Sequence, residues 1–502
     1  MTDRAHDVTH GEITVTANEE GSQSSEKTSL LNRKVITNSD TTYRIISKNV
    51  TEYHFTVPFD IGVEDRAEVG QIFSIKDHSL TFLARVLDIQ HSSNYDGHWD
   101  TTMKGTQIYD RDQIFNRVIA QPLGCIHDGV FKKSRTIPTK FSAVSRAENA
   151  EFNFLKQVMG DIEIGYLRNG SKLVEEIPVA LHSNAMDHHM GVFATTGMGK
   201  SNFMKVFAAS CMRLAASGES KFGLLIVDPH GEYLKGKGLI KGLMHLKKFA
   251  GGLVCYSTDR NNASDPGVEE LMIGLADIEP SDVALLYDWT PAQKDALEAI
   301  SRIFGRDWLS DIHKPEGIGK MISENINEKT AGVLSKRIKN VLDKNRYVNE
   351  IRSSIPNILA NIQDGKVVLV DIPKMNDRSE LFLLSVLSRC IMDAYKEDAR
   401  ADRKNCLITI EEAQRVLGSN SNTARFESIA REGRKFGVGL CAITQQPKLI
   451  EKQLLSQFNT LVVMGLGDRN DRQQLEESAK QDLSSMDIEI QTLEKGEAVI
   501  ST

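Results

Sequence analysis

The pattern of apolar and polar positions changes character twice along the chain. Residues 1–42 are rich in Thr, Ser, Asn, Asp and Glu, with few large apolar side chains. Such a stretch buries too little surface to offset the entropy of ordering, so a mobile polar tail is expected. Over residues 43–145, short alternating stretches such as 53–57, 71–75 and 81–87 are separated by turn residues, among them Asn94-Tyr95-Asp96-Gly97. A period of two at this density predicts a small N-terminal β-barrel. With no catalytic constellation in it, this region reads as a docking or collar module.

From residue 146 onward, apolar runs alternate with amphipathic helical segments. Strands are expected at 190–194, 223–228, 253–257, 366–372, 406–411, 439–444 and 461–464, with helices between them. This predicts an α/β fold whose core, residues 146–264 and 356–502, is a mainly parallel, doubly wound sheet. Residues 265–355 show no strand pattern and are expected to form a helical insertion, broken at Pro280, Pro291 and Pro315.

The sharpest chemical signal is Ala194-Thr195-Thr196-Gly197-Met198-Gly199-Lys200-Ser201, a P-loop in which Ala194 replaces the usual first glycine. It follows an expected strand and opens an expected helix. Gly197 and Gly199 let the backbone curl so that the N–H groups of Thr196, Met198 and their neighbours converge on phosphate oxygens. Lys200 would meet the β- and γ-phosphates, the Ser201 hydroxyl would ligate Mg²⁺, and the helix from Asn202 aims its positive end at the same point. ATP and Mg²⁺ are therefore the expected cofactors.

Such a loop needs carboxylates for the metal and for water. Leu407-Ile408-Thr409-Ile410-Glu411-Glu412 supplies two at a strand tip. Glu411 is assigned to Mg²⁺ and Glu412 to the proton of the attacking water. In Asp228-Pro229-His230-Gly231-Glu232-Tyr233, Asp228 or Glu232 stands at another strand end, where an α/β sheet binds its ligand, to orient water or metal. Gln445, in Thr444-Gln445-Gln446-Pro447, is the candidate γ-phosphate sensor. Arg431 and Arg434, in Ala430-Arg431-Glu432-Gly433-Arg434-Lys435, are candidate arginine fingers, because transition-state charge on phosphate calls for an added cation.

Composition adds limits. At 502 residues the chain exceeds one ordinary core. No apolar run approaches the ~18 residues of a membrane helix, and Met1-Thr2-Asp3-Arg4 does not open a signal peptide, so a cytoplasmic protein is expected. The six cysteines, at 125, 211, 255, 390, 406 and 441, are not spaced as metal ligands and read as reduced core residues. Adjacent His188 and His189 suit a loop or buried role. A net charge of −7 leaves nucleic-acid binding to local clusters. Lys235, Lys237, Lys241, Lys247 and Lys248 form such a run, equally compatible with a solvated surface.

Taken together, Gly197-Met198-Gly199-Lys200-Ser201, Asp228-Pro229-His230-Gly231-Glu232-Tyr233, Glu411-Glu412-Ala413-Gln414 and Arg431-Glu432-Gly433-Arg434-Lys435 resemble the HerA family, within the HerA–FtsK group of RecA-like translocases. Glu68-Val69-Gly70 and Leu83-Ala84-Arg85-Val86-Leu87-Asp88-Ile89 resemble that family's N-terminal barrel. The resemblance spans roughly residues 45–500. It implies a homohexameric ring with ATP between subunits and double-stranded DNA in the central channel. It also implies a partner on the barrel: a NurA-type nuclease in end resection and repair, or a defence effector. By position, Lys200 and Ser201 bind nucleotide, Glu412 is catalytic, and Arg431 or Arg434 reaches a neighbour's site. Two departures stand out. Gln414 replaces the histidine of the common Asp-Glu-Ala-His form, and the sequence stops at Glu497-Ala498-Val499-Ile500-Ser501-Thr502, in an expected strand. Relatives usually continue into a bracing segment, so either the brace is lacking or the sequence is shortened. A DNA translocase or helicase is the leading expectation. An ATP-regulated ring scaffold controlling an effector, or a peripheral secretion-type ATPase, are the alternatives.

Overall fold

The computed structural model describes residues 43–58, 66–93, 114–238, 240–305, 308–312, 314–398, 402–418, 424–479 and 483–502; the polar tail expected over 1–42 and the turn at 94–97 lie outside these. Strands Tyr43–Lys48, Tyr53–Pro58, Ile72–Asp77, Leu80–Ser93, Ile114–His127, Val130–Lys132 and Ala143–Arg146 form one antiparallel sheet. Tyr53–Pro58 also pairs with Ile114–His127, so the ribbon closes on itself. The alternation decides what lies inside: Phe55, Phe73, Ile75, Phe82, Val118 and Val144 are buried. Two register shifts in Leu80–Ser93, at Leu83/Ala84 and Val86/Asp88, bend the long strand enough to serve a closed sheet.

A hairpin, Ile162–Asn169 with Lys172–Leu181, precedes the main sheet. Most of its positions keep contact with solvent, which is why no clear strand pattern marks it in the sequence.

The main sheet comprises β1 (Met190–Phe193), β2 (Phe222–Asp228), β3 (Leu253–Ser257), β4 (Val268–Glu270), β5 (Val367–Asp371), β6 (Asn405–Ile410), β7 (Val438–Thr444), β8 (Thr460–Met464) and β9 (Ala498–Ser501). Their order is β4-β3-β5-β2-β6-β7-β1-β8-β9, with every pairing parallel except β8–β9. Every residue of β1, β2, β5, β7 and β8 is buried. Helices cover both faces, so these strands are apolar throughout rather than alternating. One face packs on α1 (Lys200–Ala216) through Phe203, Phe207 and Cys211, the other on α2 (Asp377–Glu397) through Phe382, Val386 and Tyr395. The fold is α/β, and the strand bounds agree with the sequence reading to within a residue or so.

The stretch 265–355 departs from that reading in two respects. It contributes β4, which pairs in parallel with β3 at the sheet edge. Its prolines start helices instead of breaking them: Pro280, Pro291 and Pro315 are each the first residue of a helix, where a missing N–H costs nothing. The helices are keyed to the sheet by Arg389 of α2, which pairs with the fully buried Asp282 at 3.1 Å. Among the described residues, no helix is long and apolar enough to cross a membrane.

Candidate nucleotide site

The loop 194–199 leaves the C-terminal end of β1 and enters α1 at Lys200. Gly197 (φ 86°) and Gly199 (φ 108°) adopt the left-handed conformations that favour glycine. An added Cβ at Gly197 would meet nothing within 4 Å, so the glycine is required there by its positive φ and not by crowding. The walls of the loop are fixed by backbone: Thr195 N–H donates to the Gly465 carbonyl (3.1 Å), and Gly496 N–H donates to the Met198 carbonyl (3.0 Å). Residues 195–197 are exposed, Met198 to Ser201 half-buried, and Asn202 exposed on the first turn of α1. The turn thus offers a row of N–H groups and the helix N-terminus to an anion.

Both acids of Glu411-Glu412 lie at the same edge. Glu411 retains some accessible surface but is enclosed on nearly every side, and it accepts a hydrogen bond from the Tyr233 hydroxyl at 2.6 Å. Burial pushes its carboxyl above the usual carboxylate range, although the Tyr233 bond and the Lys200 and His230 charges pull the other way. Glu412 occupies the left-handed region (φ 46°), unusual for a residue with a side chain. Its carboxylate accepts from the Gln414 amide at 2.8 Å and the Gln445 amide at 3.4 Å. The Gln445 carbonyl accepts in turn from the Thr196 hydroxyl, and the Thr444 hydroxyl donates to Gln414 at 2.5 Å. One polar relay therefore runs from the phosphate loop through Gln445 to Glu412. Gln414 is part of it.

Asp228 has a different task from the one expected. Wholly buried, it accepts the backbone N–H groups of His230 and Glu232 (both 3.2 Å) and Tyr233 (2.8 Å), and so holds its own turn together. Glu232, the other acid read from this motif, is half-buried and lies 3.6 Å from Lys237. Burial would raise its carboxyl, but the Ser201 hydroxyl and the Lys237 and Lys205 charges leave it below the usual range. Tyr233 was missed because an aromatic at that place carries no signal of its own; the turn that Asp228 ties aims it at Glu411.

The two arginines lie elsewhere. Arg431 is exposed in the last turn of α3 (Ala424–Glu432), 3.6 Å from Glu451. Arg434 is exposed on the 3-10 turn Gly433–Phe436 that precedes β7. The backbone leaves helical geometry at Glu432 (φ −121°, ψ −20°), so the two do not share one face of a continuous helix. Arg434 stands at the N-terminal end of β7, whereas the phosphate loop lies beyond the C-terminal ends of the strands. Seven residues of strand, ~23 Å, separate these edges, which rules out action of Arg434 on its own loop.

The cysteines and histidines have structural places. Cys255 and Cys390 have thiols pushed up to about 12, by burial first. His189 is buried, and its Nδ1 accepts the Leu440 N–H at 3.0 Å.

The raised Glu411 carboxyl has a measurable consequence. When folded-state affinity for the proton exceeds that of the unfolded chain, ionisation costs stability. That cost is absent below the ordinary carboxylate range and grows as pH rises through the folded value. In EDTA and without nucleotide, Glu411→Gln should match the parent near pH 4 and melt at a higher temperature than the parent at pH 8. Equal or lower melting at pH 8 would contradict the assignment.

The residue types fit a nucleotide with a hard divalent cation: the loop N–H groups and Lys200 would meet phosphate, and the Ser201 hydroxyl and Glu411 carboxylate are oxygen donors of the kind Mg²⁺ takes. A family model described as the central domain of helicase HerA matches residues 162–391. The DNA double-strand break repair helicase HerA of Saccharolobus solfataricus is 27% identical over 70% of this chain and 69% of its own length. A probable helicase of Methanocaldococcus jannaschii is 26% identical over 91% of this chain and 92% of its own. VirB4 of Thermoanaerobacter pseudethanolicus, a solved structure, has a TM-score of 0.45 at 14% identity over 68% of this chain and 94% of that one, a likeness that adds nothing to the strand order above. The matched segment runs from the hairpin through the phosphate loop and β5 into α2, and over it the chain is similar to the HerA helicases.

Proposed function

We propose that this chain is an ATP-driven DNA translocase or helicase that works as a homohexameric ring in the cytoplasm, with double-stranded DNA in its channel. The observation that carries the reading is the relay from Thr196 through Gln445 to Glu412, which ties a carboxylate able to take a proton from water to the loop that would hold the phosphates. Lys200 binds the β- and γ-phosphates, Gln445 senses whether the γ-phosphate is present, and Glu412 orients and deprotonates the attacking water. Mg²⁺, held by Ser201 and Glu411, would supply charge neutralisation on the phosphates. DNA as the track is supported by the relatives, several of them named as DNA double-strand break repair helicases. Purified chain should hydrolyse ATP faster when duplex DNA is added, in an assembly of about six subunit masses. DNA-independent turnover by a monomer would contradict both parts.

The N-terminal closed sheet is proposed as the dock for a NurA-type nuclease or a defence effector. It contacts the C-terminal segment through Glu489, which accepts from Arg168 at 2.7 Å and lies 3.7 Å from Arg85 of the sheet. Removing residues 43–145 strips away Arg85 and exposes Glu489 but leaves the phosphate loop in place. The truncated chain should keep its ATP affinity, which controls for folding, and lose about 10-fold or more in affinity for the nuclease. Unchanged nuclease affinity would count against the docking role.

A further inference from the structure

We infer that the lysines at 235, 237, 241, 247 and 248 form the surface on which this protein grips the phosphate backbone of duplex DNA; the assignment rests on the DNA-motor reading above. In a chain with 68 acidic residues among 502, the stretch between Glu232 and Asp259 contains none, yet it holds Lys235, Lys237, Lys241, Lys247 and Lys248. The net charge of −7 makes such a gap informative, because polyanion binding here must come from a local cluster.

The fold holds this cluster out from the nucleotide edge of the sheet. After the turn that ends β2, Tyr233 and Leu234 are buried, as is Leu243 on the return. The Leu243 N–H donates to the Tyr233 carbonyl (2.7 Å) and the Gly242 N–H to that of Lys235 (2.9 Å). Between these roots, Gly236–Lys237 and Ile240–Lys241 pair as a short antiparallel ribbon. Its base requires glycine: a Cβ on Gly236 (φ 82°) would fall 2.0 Å from the Ile240 carbonyl oxygen. Ile240 is 56% exposed at the ribbon, between exposed Lys237 and Lys241.

Two of the five lysines pair with carboxylates, and Lys248 lies over the Phe249 ring, 5.7 Å from its centroid. Lys235 pairs with Asp265 at 2.5 Å, and Lys237 lies 3.6 Å from Glu232. Among the described residues, no carboxylate pairs with Lys241, Lys247 or Lys248. Three exposed, uncompensated cations beside an exposed isoleucine suit phosphates and sugar edges better than an apolar protein partner. Glu232 places this surface beside the nucleotide edge, since the carboxylate facing Lys237 also lies near the Ser201 hydroxyl, which helps keep it ionised. A phosphate that draws Lys237 away from Glu232 alters the charge beside the Ser201 hydroxyl.

The test is the salt dependence of duplex DNA binding by the full chain. Lys241, Lys247 and Lys248 would be changed together to Gln, leaving Lys237 in place because it contacts Glu232. If they meet phosphates, the slope of log K against log salt should fall by about 2–3, near 0.9 for each phosphate no longer neutralised. DNA stimulation of ATP turnover should fall with it, while turnover without DNA stays at the parental level. A control triple, Lys329, Lys336 and Lys339→Gln on the exposed helix Glu328–Lys344, removes the same charge and should leave the slope unchanged. If the parent binds and responds to DNA but the 241/247/248 variant matches it, this assignment falls and the motor reading stands. If the parent binds no DNA, both fall.

Discussion

Glu412→Gln should leave ATP bound while cutting turnover by at least ~10²-fold, whereas Lys200→Ala should abolish nucleotide binding altogether. The two substitutions act on different parts of one site. Lys200 is the first residue of α1, so its loss removes the cation from the loop without disturbing Gly197 or Gly199. Glutamine at 412 keeps the size of the side chain and one acceptor for the Gln414 and Gln445 amides, but it cannot take a proton from water. Binding measured with a fluorescent ATP analogue, beside single-turnover hydrolysis, separates the two effects. Near-normal hydrolysis by the glutamine variant would remove Glu412 from the role of base.

The second large effect concerns Arg431 and Arg434. Alanine at one of them should nearly silence hydrolysis while the subunits still assemble. Arg434 lies at the opposite edge of the sheet from its own phosphate loop, and Arg431 is exposed at the end of α3. Arg434 could therefore reach phosphates only in a neighbour, and a head-to-tail ring would bring such surfaces together at every interface. Mixing the arginine variant with Glu412→Gln subunits decides this. Each is inactive alone, yet a mixed ring contains interfaces that pair an intact Glu412 with an intact arginine. Recovered hydrolysis would put the arginine in trans; no recovery at any ratio, in rings shown to be mixed, would end the idea.

Much of this architecture was legible in the sequence because the buried parallel strands are continuous apolar runs that end in polar tips. Val367–Asp371 and Val438–Thr444 stand out for that reason. The phosphate loop was legible because Gly197, Gly199, Lys200 and Ser201 serve one geometry at fixed spacing. What was not legible arises from tertiary contact. The choice between Asp228 and Glu232 depends on which carboxylate the turn's own N–H groups consume, and Asp228 accepts three of them. The partnership of Tyr233 with Glu411 joins residues 178 positions apart. Three-residue β4 is too short to show a period, and the prolines of the insertion are equally at home starting a helix or breaking one. The hairpin at 162–181 is solvated over much of its length, so burial left little imprint on its composition.

ATP hydrolysis at Lys200 and Glu412 should move this protein along DNA, and displacement of a bound strand reads that movement. A duplex carrying a third, triplex-forming strand is mixed with the protein, Mg²⁺ and ATP, and release of that strand is followed with time. Release is expected with ATP, none with a non-hydrolysable analogue, and none from the Glu412→Gln chain. Rapid ATP turnover that is indifferent to DNA, with the third strand left in place, would contradict the motor reading and identify the ring as a scaffold.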